Sequence, residues 1–261
     1  MSYVVETAIS QAFADRIEVR GYDLIALAAH RSVGDMVYLL LRGDLPPGRE
    51  GELIEAMLVV MAEHSINAPS THAARTVANC GSPLQSAVAA GISAVGDHHG
   101  GAGEQCAALL QAGVRRAGEP FDAAAASAVA AAIVDEAAAA GRRLPGFGHR
   151  LHDPDPRAVF LLERARRLGL YGRHAAVAEQ IVVRLRERTG KSLPLNVDGA
   201  LAALASDMGF STLMAKGLFI LARTAGLLAH VQEDYETGKP MKFVPRAEVK
   251  YTGPLHSSDP G

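Results

Sequence analysis

Three short stretches of this 261-residue chain carry the residue types that move protons and hold anions. In the first, LPGFGHRLHDPDPRA (144–158), His149 follows glycines at 146 and 148 and precedes a proline-opened helix start. Glycine permits backbone conformations closed to other residues and lets main chain approach a ligand closely, so His149 is expected on a stiff loop. Asp155 and Pro156 read as an N-cap and first helical position. Arg157 then falls in the first turn, where N–H groups and a guanidinium can face one anion together. The plain alternative is a capped loop with a solvent-facing histidine.

The second stretch, VGDHHGGAGEQC (95–106), again sets histidine directly before two glycines and a helix. The adjacent His98 and His99 lack the i, i+4 spacing that aims two imidazoles at one metal, so no metal site is read here. A histidine donating to a developing oxyanion suits the pattern better. The third stretch, SLPLNVDGALAALASDMGF (192–210), begins an amphipathic helix near Asp198. Capping by Asn196 or Asp198 is one account. A half-buried carboxylate base is the other, since the helix dipole favours its ionised form while burial raises its pKa. Arg223 lies inside the apolar run ILARTAGLLAH (220–230), where a charge is costly unless paired. It calls for an anion, either an acidic side chain of a neighbouring helix or a carboxylate ligand.

The elements that must position these groups are helical nearly throughout, and the fold class expected is all-α. Apolar residues recur at i, i+3, i+4 in two helices within 23–43, closed by LPPG. Further helices are expected near 51–63, 84–95, 104–117, 155–167, 174–188 and 198–207. An alanine-rich helix should end on Gly141, and a long apolar one, beginning at TLMAK, should end at Gly238. Only short runs such as RIEVRGY (16–22) read as strand. The proline-broken tail from Pro240 is expected to wrap a surface or reach a partner.

The formal net charge of −2 gives no reason to expect nucleic acid or an anionic membrane as partner, and RARR (164–167) reads as one solvated helix face. The absence of tryptophan argues against a stacking platform for single strands. Cys80 and Cys106, without zinc-site spacing, read as reduced core thiols. The opening residues lack a leader pattern and no window approaches a run of spanning length, so a soluble cytoplasmic protein is expected.

Two histidines on glycine-hinged loops, an aspartate at a helix start and two arginines, in this order, resemble the citrate synthase superfamily. RGYDLIALAAHRSVGDMVYLLLRGDLP (20–46) looks like that family's early helical motif, GFGHR…DPR its central signature, and NVDG the segment of its catalytic aspartate. The resemblance implies an all-α homodimer with a large domain from both chain ends (1–102 and 208–261) and a small domain at 103–207, the active site lying between them. It implies that His99 stabilises the enol of acetyl-CoA, that His149 is the acid/base at the oxaloacetate carbonyl, and that Asp198 is the base at the acetyl methyl. His64, Arg157 and Arg223 match residues that hold the dicarboxylate or citrate. Leu144, Pro145, Gly146, Phe147 and Gly148 match backbone that receives coenzyme A. The coenzyme A thioester is then substrate or product, with no permanently bound cofactor and no metal.

Three departures narrow the choice among relatives. Little sequence precedes RGYD, the family's HGGAN is HGGAG with Gly103 in place of asparagine, and the cross-subunit arginine of RPR is Val244, with Arg246 the nearby substitute. This pattern resembles stand-alone citryl-CoA lyases and the module at the end of ATP-citrate lyase, though that module has no close match to His99. The expected reaction is cleavage of citryl-CoA, or a related 3-hydroxyacyl-CoA, to acetyl-CoA and oxaloacetate. Citrate or 2-methylcitrate synthase is the alternative, and a non-catalytic acyl-CoA-binding paralogue the third.

Overall fold

The computed structural model describes residues 4–149, 151–238, 240–241 and 245–253; Val244 lies outside them. A small antiparallel sheet opens the chain, with β1 (Ser10–Ala12), β2 (Ile17–Val19) and β3 (Tyr22–Asp23) in sequence order and Ser10 opposite Val19. The helices that follow are α1 (Leu24–His30), α2 (Val33–Arg42), α3 (Glu50–Met61), α4 (Pro69–Asn79), α5 (Leu84–Ser93) and α6 (Ala102–Ala117). Then come α7 (Ala123–Ala139), α8 (Pro156–Leu168), α9 (Arg173–Thr189), α10 (Val197–Asp207) and α11 (Thr212–Thr237), with a 3-10 turn at Arg246–Glu248. The chain is mostly helical.

Side-chain caps set where many of these helices begin, because the first N–H groups of a helix have no partner within it. Asp23, Asp122 and Ser211 each accept an N–H of their helix's first turn, and Ser32 forms a reciprocal capping box with Asp35. Asp155 caps α8 with Pro156 at the first helical position, and Asn196 caps α10. The centre of the core is α10. Its residues from Gly199 to Ser206 are all buried, and it packs on α6, α8, α9 and α11. A helix apolar all round must be enclosed by neighbours, and the alanines at 200, 202, 203 and 205 leave room for four of them.

Several expectations need correcting. Helix α4 does not show in the pattern because Ala68 provides no capping side chain and the buried face is small, at Ala74 and Ala78. The alanine-rich helix is capped by Ala140, one residue before Gly141. Cys106 is buried as expected, but Cys80 is exposed: it ends α4 where no helix covers it. A helix of spanning length and apolarity does exist, namely α11, yet it packs against α3, α4, α5, α6 and α10 and buries Arg223 and Asp234. RARR is indeed largely on the surface, and Arg164 reaches Glu52 of α3 at 3.1 Å. In the tail, the Met241 N–H donates to the Asn79 carbonyl at 2.8 Å, and residues 245–252 are exposed.

Leu204 of α10 is fully enclosed, so Leu204→Ala should cost about 2–5 kcal/mol. Val59→Ala, at a side chain 75% exposed, should cost less than about 0.5 kcal/mol. Urea unfolding of the two variants against the parent protein checks the contrast.

Candidate active site

The loop that carries His149 is fixed to the segment that starts α10. Gly148 N–H donates to the Pro194 carbonyl at 2.7 Å, Asn196 N–H to the Gly146 carbonyl at 3.0 Å, and the Asn196 side-chain amide to the Gly148 carbonyl at 3.0 Å. Gly146 and Gly148 both have φ +85, and a Cβ at Gly199 would stand 2.4 Å from the Gly146 oxygen. Both strands of the contact therefore require glycine. Because Asn196 Oδ1 caps α10 by accepting from Gly199 N–H at 3.1 Å, the Asp198 carboxylate is not consumed by capping.

Asp198 is half-buried, in the first turn of α10. Burial pushes its carboxyl above the ordinary carboxylate range; the charges of Arg157 and Arg223 pull it back and that of Asp155 adds to the rise. The adjoining Cys106 thiol is pushed up to about 12 by burial and then by the Asp198 charge, so it is inert at neutral pH.

His99 sits in the tight turn before α6, where Gly96 and His99 exchange backbone hydrogen bonds at 2.9 Å. Its Nε2 meets the Ser70 hydroxyl at 2.8 Å and accepts the Ser70 backbone N–H at 3.4 Å. A backbone N–H can only donate, so Nε2 is an acceptor and the ring proton is assigned to Nδ1, which is left as a donor. Burial, then the charge of Arg223, lowers the pKa and keeps the ring neutral. A neutral imidazole with one free N–H is suited to an oxygen on which charge develops.

His149 is ordered differently. Its Nδ1 accepts N–H groups of Leu151 and His152, both at 3.1 Å, which assigns the ring proton to Nε2. Nε2 in turn faces Arg157 Nη2 at 3.3 Å. With the proton on Nε2 both atoms are donors, so an acceptor placed beside the pair takes a hydrogen bond from each. Partial burial lowers the His149 pKa; Asp155 opposes this, and His152 and Arg157 add to it. Arg157 Nη1 also meets His64 Nδ1 at 3.0 Å, and partial desolvation followed by the Arg157 and Arg223 charges holds His64 low.

Arg223 lacks the acidic side-chain partner that the sequence allowed for, among the described residues. It is 2% exposed, its Nε and Nη1 have no hydrogen-bond partner, and no carboxylate forms an ion pair with it among the described residues. Burial lowers its pKa, while Glu63 and Asp198 raise it. Buried unsatisfied donors in a native fold call for an explanation, and an anionic ligand supplies one. Of the residues expected in the site, His64, His99, His149, Arg157, Asp198 and Arg223 form one cluster: the charges of Arg157 and Arg223 both act on His64 and Asp198, that of Arg223 on His99 and that of Arg157 on His149. Arg246 stands apart, exposed on the 3-10 turn. No group of three metal-ligating side chains is found among the described residues. Sequence reasoning missed Ser70, whose signal lay only in a helix start that was not anticipated, and passed over Asp155 as a cap.

Leu144 and Pro145, at the start of the same loop, line a cavity of about 790 Å³ between α6 and α7. Arg115, Arg116, Arg142 and Arg143 also line it. Arg116 pairs with Glu136 at 2.9 Å on the surface, and the arginine excess makes the cavity suited to a polyanion.

Residues 47–244 match the family described as citrate synthase, C-terminal domain. The chain is similar to citryl-CoA lyase from Hydrogenobacter thermophilus, with 40% identity and a TM-score of 0.90 over 99% of this chain and 98% of that one. It is 35% identical over 214 residues to a putative citrate synthase 2 of Mycobacterium tuberculosis, covering 80% of this chain and 53% of that protein. The chain thus spans about half the length of that curated relative. The ATP citrate lyase of Methanothrix soehngenii, solved with citrate and coenzyme A, shares the fold at 23% identity and a TM-score of 0.85, over 98% of this chain and 42% of that one.

If the unpaired Arg223 donors await a ligand, Arg223→Met should leave the melting temperature of the ligand-free protein unchanged or raised, since it removes an uncompensated buried charge. Differential scanning calorimetry checks this; a loss of about 3 kcal/mol or more would reveal a structural partner.

Proposed function

The chain belongs to the citrate synthase family, and from that premise we propose that it cleaves citryl-CoA to acetyl-CoA and oxaloacetate. The observation that carries this reading is the buried Arg223, whose Nε and Nη1 have no partner and whose charge, with that of Arg157, acts on an Asp198 carboxyl that burial pushes upward. Cleavage ends by protonating the carbon of an acetyl-CoA enolate, and a carboxylic acid is the donor that step needs. The likeness to a citryl-CoA lyase over nearly the whole of both chains supports the same choice.

Each proposed role follows from where charge moves. Arg157, Arg223 and His64 hold the carboxylates of the citryl group, the guanidinium fork matching a carboxylate in two bonds. The citryl hydroxyl oxygen is the acceptor placed beside His149 Nε2 and Arg157 Nη2. His149 removes the hydroxyl proton, which requires the ring to carry its other proton on Nδ1 and so requires the Leu151 and His152 amides to release that nitrogen. The carbon–carbon bond then breaks: the oxygen lone pair forms the ketone of oxaloacetate and the bonding pair becomes the enolate of acetyl-CoA. His99 Nδ1–H donates to the enolate oxygen, and Asp198 delivers its proton to carbon. Read backwards, the same groups condense acetyl-CoA with oxaloacetate, with Asp198 as base. Backbone of Leu144–Gly148 receives coenzyme A, whose phosphates extend toward the arginine-lined cavity. The domain division at 103–207, a homodimer and a cytoplasmic location belong to this proposal.

A mass-spectrometric product assay tests it. Purified protein given citryl-CoA should release acetyl-CoA and oxaloacetate promptly, with little citrate. Citrate and free coenzyme A as the main products would establish a synthase instead, and no turnover would point to an acyl-CoA-binding role. His99→Ala, which removes one oxyanion donor, should lower kcat on the order of 10²–10³-fold. Arg142→Gln with Arg143→Gln should raise KM for the thioester with little effect on kcat, because those contacts are the same in ground and transition states.

A further inference from the structure

Asp155 makes more bonds than a helix cap needs. It is fully enclosed, yet burial does not neutralise it: burial pushes its carboxyl up, and the bonds from Arg157 and Val197 outweigh that and hold it ionised. Oδ1 accepts the backbone N–H of Arg157 at 3.1 Å and its Nε at 3.1 Å. Oδ2 accepts Arg157 Nη2 at 3.0 Å and, from another helix, the Val197 N–H at 3.0 Å. Val197 is the first residue of α10 and the immediate neighbour of Asp198. A cap on α8 accounts for only the first of these four bonds.

We propose that Asp155 is a positioning residue that ties the carboxylate-binding guanidinium of Arg157 to the first turn of α10, so that the arginine and Asp198 keep one fixed geometry. The inference rests on the reaction read above. Its physical content has two parts. The bidentate grip from Asp155 limits the Arg157 side chain to one orientation, with Nη1 directed to His64 and Nη2 to His149. The buried negative charge also offsets that of Arg157 close to Asp198, so the carboxylate used on the acetyl methyl stays a strong base instead of being weakened by two cations.

The charged groups around each titrating partner are few. Asp198 faces Arg157 and Arg223, which lower its pKa, Asp155, which raises it, and the Cys106 thiol, which is pushed up to about 12 and so stays neutral across the pH series. His149 faces Asp155, which raises its pKa, and His152 and Arg157, which lower it. Replacing Asp155 by the isosteric asparagine removes the one negative charge common to both sets, so the Asp198 carboxyl should ionise at lower pH.

The experiment follows exchange of the acetyl methyl protons of acetyl-CoA into deuterium oxide, with oxaloacetate's unreactive dicarboxylate analogue malate present, across a pH series. This step uses ionised Asp198 and does not require carbon–carbon bond formation. In Asp155→Asn, the acid limb should move to lower pH and the plateau rate should fall by up to about 10²-fold. Asp155→Glu, which keeps the charge but lengthens the tether, should leave the limb in place while the plateau falls. A limb that does not move in Asp155→Asn overturns the proposal whatever happens to the plateau. If Asp155→Asn fails to fold, a limb displaced in Asp155→Glu overturns it. A parent protein that exchanges no methyl protons removes the proposed function and this inference together. A parent protein that exchanges beside an Asp155→Asn variant with an unmoved limb removes this inference alone.

Discussion

The approach of Gly146 to Gly199 is the constraint on which the rest of the site depends. Their backbones lie so close that a Cβ on Gly146 would stand 2.8 Å from the Gly199 Cα. That proximity lets the Asn196 N–H reach the Gly146 carbonyl, and it holds Phe147 paired with Leu195 across an isolated bridge. A loop bearing a histidine and a helix bearing a carboxylate thereby become one rigid unit. Rigidity at this point matters because catalytic geometry tolerates displacements well under an ångström. The enclosure of α10 by four helices supplies the stiffness from behind.

Electrostatics then divides the roles among chemically similar residues. Arg157 acts on two aspartates, by direct hydrogen bonds on Asp155 and through its charge on Asp198, yet their environments push them apart. Asp155 accepts four hydrogen bonds and stays ionised, while half-buried Asp198 accepts no capping bond and rises. His99 and His149 are both kept neutral, but Ser70 assigns the proton of the first to Nδ1 while two backbone amides assign that of the second to Nε2. Separated titration behaviour within one cluster is what acid–base chemistry at neutral pH requires. Such perturbation also arises in structural ion-pair networks; Arg223 differs in leaving two buried donors, Nε and Nη1, without a partner, where Arg20 and Arg184 each leave only Nε.

Much of this was legible in the sequence because punctuation and chemistry coincided. The prolines, glycines and Asx residues that end or start helices also flank His149, Arg157 and Asp198, so element boundaries and candidate residues were read from the same letters. Helix α4 escaped because its start has no capping side chain and its buried positions are alanines, which carry little periodic signal. Ser70 escaped with it. Asp155 was read correctly as a cap, but nothing local reveals that its second oxygen reaches Val197, 42 positions away. The partner of Arg223 was equally undecidable, since whether Glu63 or Asp198 comes close enough to pair with it is a fact of packing between helices, and among the described residues neither does. The exposure of Cys80 likewise follows from which neighbours cover it.

The most direct measurement is the titration of Asp198 itself, by carbon-13 NMR of the side-chain carboxyls with Asp198→Asn used to assign the resonance. The account predicts a midpoint above the ordinary aspartate range in the ligand-free protein, the property that the proposed cleavage requires of its proton donor. A midpoint at or below that range would mean that Arg157 and Arg223 prevail over burial, and the assignment of Asp198 as the acid of a cleavage reaction would be contradicted.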